Sequence, residues 1–466
     1  MNTLIAIAGL GIISLIAEIF NLRKAIVPVA IMGLLAILGL SLADYMEVGL
    51  GIFNQQEEGL YNNMIITDNY AVAFNTLFIV LAILLIAMTP DFHKHHKPKL
   101  SDFVAIKLFL LTGAVAMVSF GNLAMFFLGI EVLSIALYVL AASEPKNLKS
   151  NEAGMKYFLM GAFASGIILF GIALIYGATG SFDNKAIYSV VTSGSLPGWF
   201  FIGIVMLTIG LLFKIAAAPF HFWAPDVYEG SPALSTATMS TLAKVAAMAA
   251  FFKLMGRLNH TVPTSYIIVI IIVSILSMTV GNLMALKQSN VKRMLAFSGI
   301  SHAGFMLMVF LNPRAMEGVL FYYAAAYAFA GIAAFAVILY ATANKENEEI
   351  YQFNGLGKTN PLMAATLTCA LLSMAGIPIF SGFFAKFFLF SEVLNKGFVY
   401  IVIIAVINSI ISVGYYFKLI LAMYTKDDTA NEIPKAPVMY SAVAIVSILI
   451  TIALGLYPDA LMNFIR

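Results

Sequence analysis

Four charged residues of this sequence stand inside apolar stretches, where a charge is costly. Lys214 lies in LLFKIAAAPFHFW, Lys244 in STLAKVAAMAAFF, Lys386 in SGFFAKFFLF and Glu131 in FFLGIEVLSIALYVL. A charge at the centre of a bilayer costs about 2.5 kcal/mol or more, so such residues are usually kept for ion or proton movement. The sequence therefore predicts a proton or ion path, with these four residues as its translocating groups.

Glu131 and Lys214 suggest how such a path could be driven. A lone lysine in a low-dielectric setting gives up its proton readily, a lone carboxylate keeps its proton, and a nearby opposite charge reverses both tendencies. Pulling such a pair apart would let the lysine pass its proton onward. We therefore expect Glu131 to lie on the order of 5 to 10 Å from Lys214, close enough for coupled titration.

Several polar residues near the lysines are candidate proton relays. Ser235, Thr238 and Thr241 recur every three residues before Lys244, which keeps them broadly on one helix face. Helical hydroxyls also bond their own backbone carbonyls, and a single histidine can be a packed polar residue, so both alternatives stay open. The relay candidates are His221, His302, Ser235, Thr238, Thr241 and Lys418. Lys107, Lys253 and Lys418 lie near span ends and are expected to reach the interface.

Composition gives the class of protein. Hydrophobic residues make up 61% of the 466 positions and charged residues 11%, against about 25% charged in soluble domains. The net charge is only +3, and the basic residues are scattered over many loops instead of forming one patch, which argues against nucleic-acid binding. Since a bilayer is crossed by about 20 apolar residues, the chain predicts an all-α membrane protein with about fourteen transmembrane helices. Their approximate limits are 2–20, 25–43, 71–89, 103–119, 121–142, 154–178, 197–223, 232–256, 264–286, 294–312, 316–343, 361–394, 398–424 and 437–463.

Two of these spans are predicted to be broken. Pro219 follows Lys214 in span 7, and Gly376, Pro378 and Gly382 precede Lys386 in span 12. Paired interrupted helices indicate inverted repeats in transporters. Spans 4 to 8 and 9 to 13 each make five crossings, so the second unit starts from the opposite side. The predicted units are 1–102 with three helices, the repeats 103–259 and 260–430, and a C-terminal helix in 431–466.

Lysine and arginine in the loops predict the orientation. Fifteen of them fall in connections that follow odd-numbered spans, and five in the even-numbered connections and the C-terminus. Both termini are therefore expected to face away from the cytoplasm, together with the acidic segment 41–69. The loop carrying His93 is expected in the cytoplasm.

Longer stretches of the sequence resemble a known family. FLGIEVLSIALYVL, LLFKIAAAPFHFWAPDVYEGSP, STLAKVAAMAAFFKL, QSNVKRMLAFSGISHAG and LSMAGIPIFSGFFAKFFLF are similar to the antiporter-like membrane subunits of respiratory complex I, NADH:quinone oxidoreductase. The resemblance covers essentially the whole chain. It implies that Glu131, Lys214, Lys244 and Lys386 form a polar axis that takes part in proton pumping coupled to quinone reduction.

The resemblance also implies a setting. The chain would be a subunit of an H⁺-translocating enzyme in a bacterial inner membrane, with subunits K and M as neighbours. Flavin, iron–sulfur clusters, NADH and quinone would be bound by other subunits, and no cofactor or metal is expected here, since a single cysteine cannot hold a cluster. The alternatives are a subunit of a multisubunit Na⁺/H⁺ antiporter or of a membrane-bound hydrogenase, and a purely structural spacer.

The charge bias predicts which loops are reached from outside the cell. Cysteine placed at His93 should react with an impermeant maleimide only after the cells are permeabilised, whereas cysteine at Gln55 should react in intact cells. Cys369 lies within a span and should stay unlabelled in both. Labelling of the His93 position in intact cells would contradict the predicted orientation.

Overall fold

The computed structural model describes residues 2–46, 63–96, 100–193, 196–258, 264–343, 345, 347–425 and 436–465. Within these ranges every named element is a helix, alongside three isolated β-bridges. Most of the acidic 41–69 segment lies outside the described residues, as do Lys97, Lys99, Lys426, Lys435 and Arg466.

The helices of the first half end at the π-helix before Lys244. They are α1 Asn2–Ile19, α2 Arg23–Tyr45, α3 Asn69–Ala87, α4 Thr89–His96, α5 Leu100–Val118, α6 Leu123–Ala141, α7 Leu148–Thr179, α8 Asn184–Ser193, α9 Gly198–Lys214, α10 Trp223–Gly230 and α11 Ala233–Thr238, followed by the π-helix Met239–Ala243.

The second half begins at Lys244. Its helices are α12 Lys244–Leu258, α13 Thr264–Leu286, α14 Val291–Leu307, α15 Glu317–Thr342, α16 Leu356–Thr359, α17 Pro361–Ala375, α18 Ser381–Asn395, α19 Val399–Tyr424, α20 Val438–Leu456 and α21 Pro458–Met462. Short 3₁₀ turns follow α14 and precede α16.

Twelve helical segments of the described chain are long and apolar enough to cross a membrane. Among them α14 and α15 are buried along their full apolar windows, whereas α1 is buried over only 22% of its window. α15 and α14 thus form the centre of the bundle, and α1 lies at its edge. The prediction of an all-helical membrane protein is confirmed.

The first predicted break lies directly after Lys214, where α9 ends. Ala216 takes a positive φ of 58°, which a helix cannot accommodate. Polar side chains bond the backbone groups that the break frees: the indole of Trp223 donates to the carbonyl of Phe213 at 3.1 Å, and the hydroxyl of Ser277 accepts from the amide of Ala218 at 2.9 Å. Protein groups therefore take the place of water at this break, as a broken helix inside a membrane requires.

The second break separates α17 from α18. Gly376 ends α17 with a φ of 89°, a left-handed conformation that glycine adopts without strain. The hydroxyl of Ser373 then accepts a hydrogen bond from the amide of Gly382, at the start of α18. Both predicted interruptions are therefore present: α9 ends at the half-buried Lys214, and the buried Lys386 lies beside the end of α17.

Two predictions about the near-terminal lysines were wrong. Lys107 is only 3% exposed and donates to the carbonyl of Leu85 and the hydroxyl of Thr89 at 3.2 and 2.7 Å. Lys253 is 7% exposed and pairs with Asp68 at 2.9 Å. Internal acceptors at the ends of neighbouring helices hold these ammonium groups, so they do not extend to the interface.

Candidate functional site

Lys214 is the last residue of α9 and lies where the helix stops. Its Nζ donates to the hydroxyl of Ser134 at 2.7 Å and more weakly to Ser165 at 3.4 Å. The ring of Tyr138 faces the same ammonium with its centroid 5.9 Å away, within cation–π range. Two neutral hydroxyls and a ring thus surround this charge.

Glu131 stands one helical turn before Ser134 on α6. Its Oε1 is buried and has no hydrogen-bond partner in the described part of the chain. The two side chains form no direct ion pair within that part, because Lys214 donates to the serine, but the carboxylate acts electrostatically on the lysine. The pair is therefore coupled through space, with a hydroxyl as the closest ligand of the ammonium.

Lys244 is the least satisfied of the lysines. Its residue is 2% exposed, and Nζ makes no hydrogen bond to any of the described residues. The ring of Tyr228 faces this ammonium group with its centroid 5.9 Å from Nζ. The π-helix Met239–Ala243 immediately precedes it, and π-turns often mark functional positions in helices.

Lys386 is held by the end of a helix. Its Nζ donates to the carbonyls of Met374 and Ala375 at 3.2 and 2.9 Å and to the hydroxyl of Ser409 at 2.9 Å. Those carbonyls belong to the last turn of α17, where the helix dipole favours a positive charge. The break thus creates a binding site for the ammonium group.

His302 lies between Lys244 and Lys386. The residue is 5% exposed, its Nδ1 contacts the hydroxyl of Tyr323 at 2.8 Å, and its Nε2 contacts the hydroxyl of Tyr416 at 3.4 Å. The charges of both lysines act on the imidazole. Among the histidines that the structure describes, His302 is therefore the one that couples electrostatically to both lysines.

The other relay candidates fall into three groups. The hydroxyls of Thr238 and Thr241 bond the carbonyls one turn back, at 3.0 and 2.7 Å, whereas Ser235 Oγ has no partner within the described ranges. His221 is 7% exposed and its Nδ1 is likewise unpartnered there. Lys418 is exposed and donates to the carbonyl of Gln288 at 2.9 Å, so the structure does not bring it to the interior lysines.

The predicted hydroxyl line changes register before it reaches Lys244. A π-turn adds one residue to the helical repeat, so the face shared by Ser235 and Thr238 rotates before Lys244. An every-third-residue spacing cannot show such a turn, which depends on tertiary packing.

Several partner residues were absent from the prediction. Ser134 could have been found, because it lies three residues after Glu131 on the same helix face. No spacing in the sequence indicates the remaining partners, which come from distant helices. These are Ser165, Tyr323, Ser409 and Tyr416.

The PDVYEGSP stretch has a clear packing role. Arg293, at the start of α14, donates to Asp226 at 2.6 Å and to Glu229 at 3.0 Å, and Lys156 reaches Asp226 at 3.3 Å. Burial raises the pKa of Asp226, but its hydrogen bonds and charge pairing with Arg293 and Lys156 outweigh burial and leave the pKa lowered. This ionic cluster fixes α10, which follows the first break, to α14 and α7.

Comparison with known proteins first defines the class. The family model described as "NADH:quinone oxidoreductase/Mrp antiporter, TM" matches residues 121–412. The matched part contains all four predicted translocating residues and both helix breaks. Fold and family model together define an antiporter-like membrane protein.

Curated relatives then narrow the assignment. NADH-quinone oxidoreductase subunit N of Flavobacterium psychrophilum is 60% identical over 465 residues, covering 100% of both chains. The subunit N of Flavobacterium johnsoniae is 62% identical over 473 residues with the same coverage, and that of Cytophaga hutchinsonii is 42% identical over 464 residues, covering 99% of each. The chain belongs to the NADH-quinone oxidoreductase subunit N family.

Solved structures share the fold. A chain of respiratory complex I from Thermus thermophilus matches with a TM-score of 0.83 at 28% identity, covering 99% of this chain and 98% of that one. A chain of an archaeal membrane-bound sulfane sulfur reductase matches with a TM-score of 0.88 at 24% identity, covering 100% and 96%. A chain of the Mrp complex from Dietzia gives 0.85 at 21%, covering 99% and 95%. The last two are informative about fold alone.

The ionic cluster predicts a pH-dependent contribution to stability. Asp226→Asn should lower the free energy of unfolding at neutral pH by about 1 kcal/mol or less, because the pair is partly exposed. A lowered pKa means that the contribution is present above the usual carboxyl pKa and is lost as pH falls through the lowered pKa of Asp226. Thermal unfolding of the purified complex measures this difference, which should shrink in acid.

A matched control is available one turn from Lys156. Glu152 pairs with Lys156 at 2.6 Å, but its side chain is 64% exposed, so Glu152→Gln should change stability less than Asp226→Asn. Equal melting temperatures for the two variants at neutral pH would show that the Asp226 cluster does not fix α10.

Proposed function

We propose that this chain is a proton-translocating subunit of an NADH:quinone oxidoreductase. Quinone reduction elsewhere in the complex would drive protons along Glu131, Lys214, Lys244 and Lys386. One observation carries the proposal: Lys244 is almost fully buried, yet no described residue hydrogen-bonds its ammonium group. A fixed charge so poorly satisfied would destabilise the fold, whereas a group that gains and loses a proton during turnover can exist there.

The glutamate–lysine pair supports a switching role. The Glu131 carboxylate acts on Lys214 electrostatically, but Ser134 is the direct partner of the ammonium. A small movement between α6 and α9 would therefore change the lysine's environment without breaking a strong ion pair. In our proposal this movement sets whether Lys214 holds its proton.

Tyrosine rings face the first two lysines. The rings of Tyr138 and Tyr157 pack with centroids 4.9 Å apart, and Tyr138 faces Lys214 while Tyr228 faces Lys244. Ser235 and His221 each have a buried polar atom free to bond water. We assign Ser235, His221 and His302 to the proton relay. Thr238 and Thr241 bond carbonyls of their own helix and only line the relay. Lys418 lies outside it.

Fourteen membrane crossings fit the helices. The twelve long segments account for twelve crossings, and two broken segments would each add one: α9 with the residues after its break up to 223, and α17 with α18. We propose the units 1–102, 103–259, 260–430 and 431–466, with the two middle units as inverted repeats.

Close helix packing supports these repeats. A Cβ on Gly113 would meet the backbone of α6 at 2.5 Å, and a Cβ on Gly281 would meet the backbone of α14 at 2.6 Å. The atoms met are Gly129 O with Leu133 N in the first unit, and Phe297 O with Ser301 N in the second. The same number of residues separates the two members of each corresponding pair, as a repeat requires. The pairs are Gly113 and Gly281, Gly129 and Phe297, and Leu133 and Ser301.

The wider assignment rests on the sequence resemblance and on the distribution of lysine and arginine over the loops. We propose a bacterial inner-membrane location with periplasmic termini, subunits K and M as neighbours, and flavin, iron–sulfur clusters, NADH and quinone on other subunits. A multisubunit Na⁺/H⁺ antiporter or membrane-bound hydrogenase subunit is the alternative. Full-length identity of 60% to a subunit N favours the first assignment.

Replacing Lys244 tests the function. Lys244→Met keeps an unbranched side chain one atom shorter and removes an unpaired buried charge, so the complex should assemble and be at least as stable. Proton pumping and quinone reduction should fall by about tenfold or more, as expected on loss of a proton-transfer group. NADH oxidation by an artificial acceptor should persist. Membrane vesicles allow all three measurements.

Lys418→Met is the matched control, because Lys418 is exposed and bonds a loop carbonyl. It should pump like the wild type. An assembled Lys244→Met complex that also pumps like the wild type would contradict the proposed role of Lys244.

A further inference from the structure

Gly299 of α14 lies against the ammonium group of Lys244. A Cβ atom added at Gly299 would stand 2.6 Å from Lys244 Nζ and 3.0 Å from Tyr327 Oη, and its third-nearest neighbour is also a lysine side-chain atom. The two polar atoms therefore border the same small space, which the missing side chain keeps open. A larger residue would push on the flexible end of the lysine and on the phenol, and not on a neighbouring backbone.

The repeat relationship gives Gly299 a counterpart. The offset that relates Gly113 to Gly281 also relates Glu131 to Gly299 and Ser134 to His302. The first repeat thus has a carboxylate where the second has only a hydrogen atom. Lys244 belongs to the first repeat, but its ammonium group lies beside Gly299 of the second repeat.

We propose that Gly299 is a positioning residue for proton transfer between the two repeats. By leaving the counterpart of the Glu131 position without a side chain, it lets Lys244 reach Tyr327 and the cluster behind it. This inference rests on the proposed proton-translocating function, and it adds a residue that bears no charge and no proton itself.

The space beyond Tyr327 leads toward Lys386. The rings of Tyr327 and His302 lie 4.9 Å apart between centroids. A small cavity is lined by both side chains, by Tyr323, and by Ser373 and Gly382 at the break between α17 and α18. Lys386 binds the α17 carbonyls at that break. Gly299 therefore lies beside both Lys244 and Tyr327. Tyr327 in turn packs against His302 and lines the cavity at the second break.

Gly299→Ala in the intact complex tests this position. Alanine favours the helix, so assembly should be normal. Displacing the ammonium should lower proton pumping and coupled quinone reduction by about tenfold, since small misplacements of reacting groups are costly. Gly256→Ala is the matched control, because an added Cβ there meets nothing within 4 Å. Its pumping should equal that of the wild type.

A double-mutant cycle separates positioning from a general packing effect. Tyr327→Phe removes the hydroxyl that Gly299 keeps accessible. If Gly299 acts through the approach of Lys244 to Tyr327, the double variant should pump no worse than the slower single variant. Multiplicative losses would overturn the inference, and so would a Gly299→Ala complex that pumps like Gly256→Ala.

Lys244→Met in the same membranes distinguishes the two levels of failure. If it pumps normally, the proposed function of Lys244 fails and the role of Gly299 fails with it. If it loses pumping while Gly299→Ala does not, only the inference about Gly299 fails.

Discussion

A positive charge inside a bilayer needs polar partners from the protein itself, and this constraint explains most of the structure around the site. Two hydroxyls hold Lys214, and two helix-end carbonyls and a hydroxyl hold Lys386. Lys244 has the ring of Tyr228 and Gly299 beside it, and no described residue hydrogen-bonds its ammonium group. The three lysines are thus satisfied to very different degrees. Incomplete satisfaction suits a chain of proton-exchanging groups, because each group must be able to release its proton as well as hold it.

The helix breaks follow from the same constraint. An intact helix has no spare carbonyls to bind an ammonium group, whereas the last turn of a broken helix has several. The break after α17 supplies two of them to Lys386. The break after α9 releases a carbonyl that Trp223 occupies and an amide that Ser277 occupies. Lys214 is left to neutral hydroxyls and to the through-space charge of Glu131, whereas helix-end carbonyls bind Lys386 directly.

Much of this could be predicted from the sequence because lysine within apolar runs and proline or glycine within long spans are local signals. The helical class and both breaks were found in this way. The burial of Lys107 and Lys253, the π-turn before Lys244 and the tyrosines around His302 were not. Each depends on contacts between helices far apart in the chain, and a residue near a span end looks the same whether its partner is water or a buried carbonyl.

The central claim is that the axis lysines work by releasing protons and not merely by carrying charge. Lys214→Arg tests it most directly, because guanidinium keeps the charge and hydrogen-bonding capacity but is not deprotonated in proteins. The measurement is the number of protons translocated per electron by the assembled complex in sealed vesicles. The account predicts that Lys214→Arg lowers this ratio as a neutral substitution does. A wild-type ratio in an assembled Lys214→Arg complex would contradict it, since a fixed charge would then suffice.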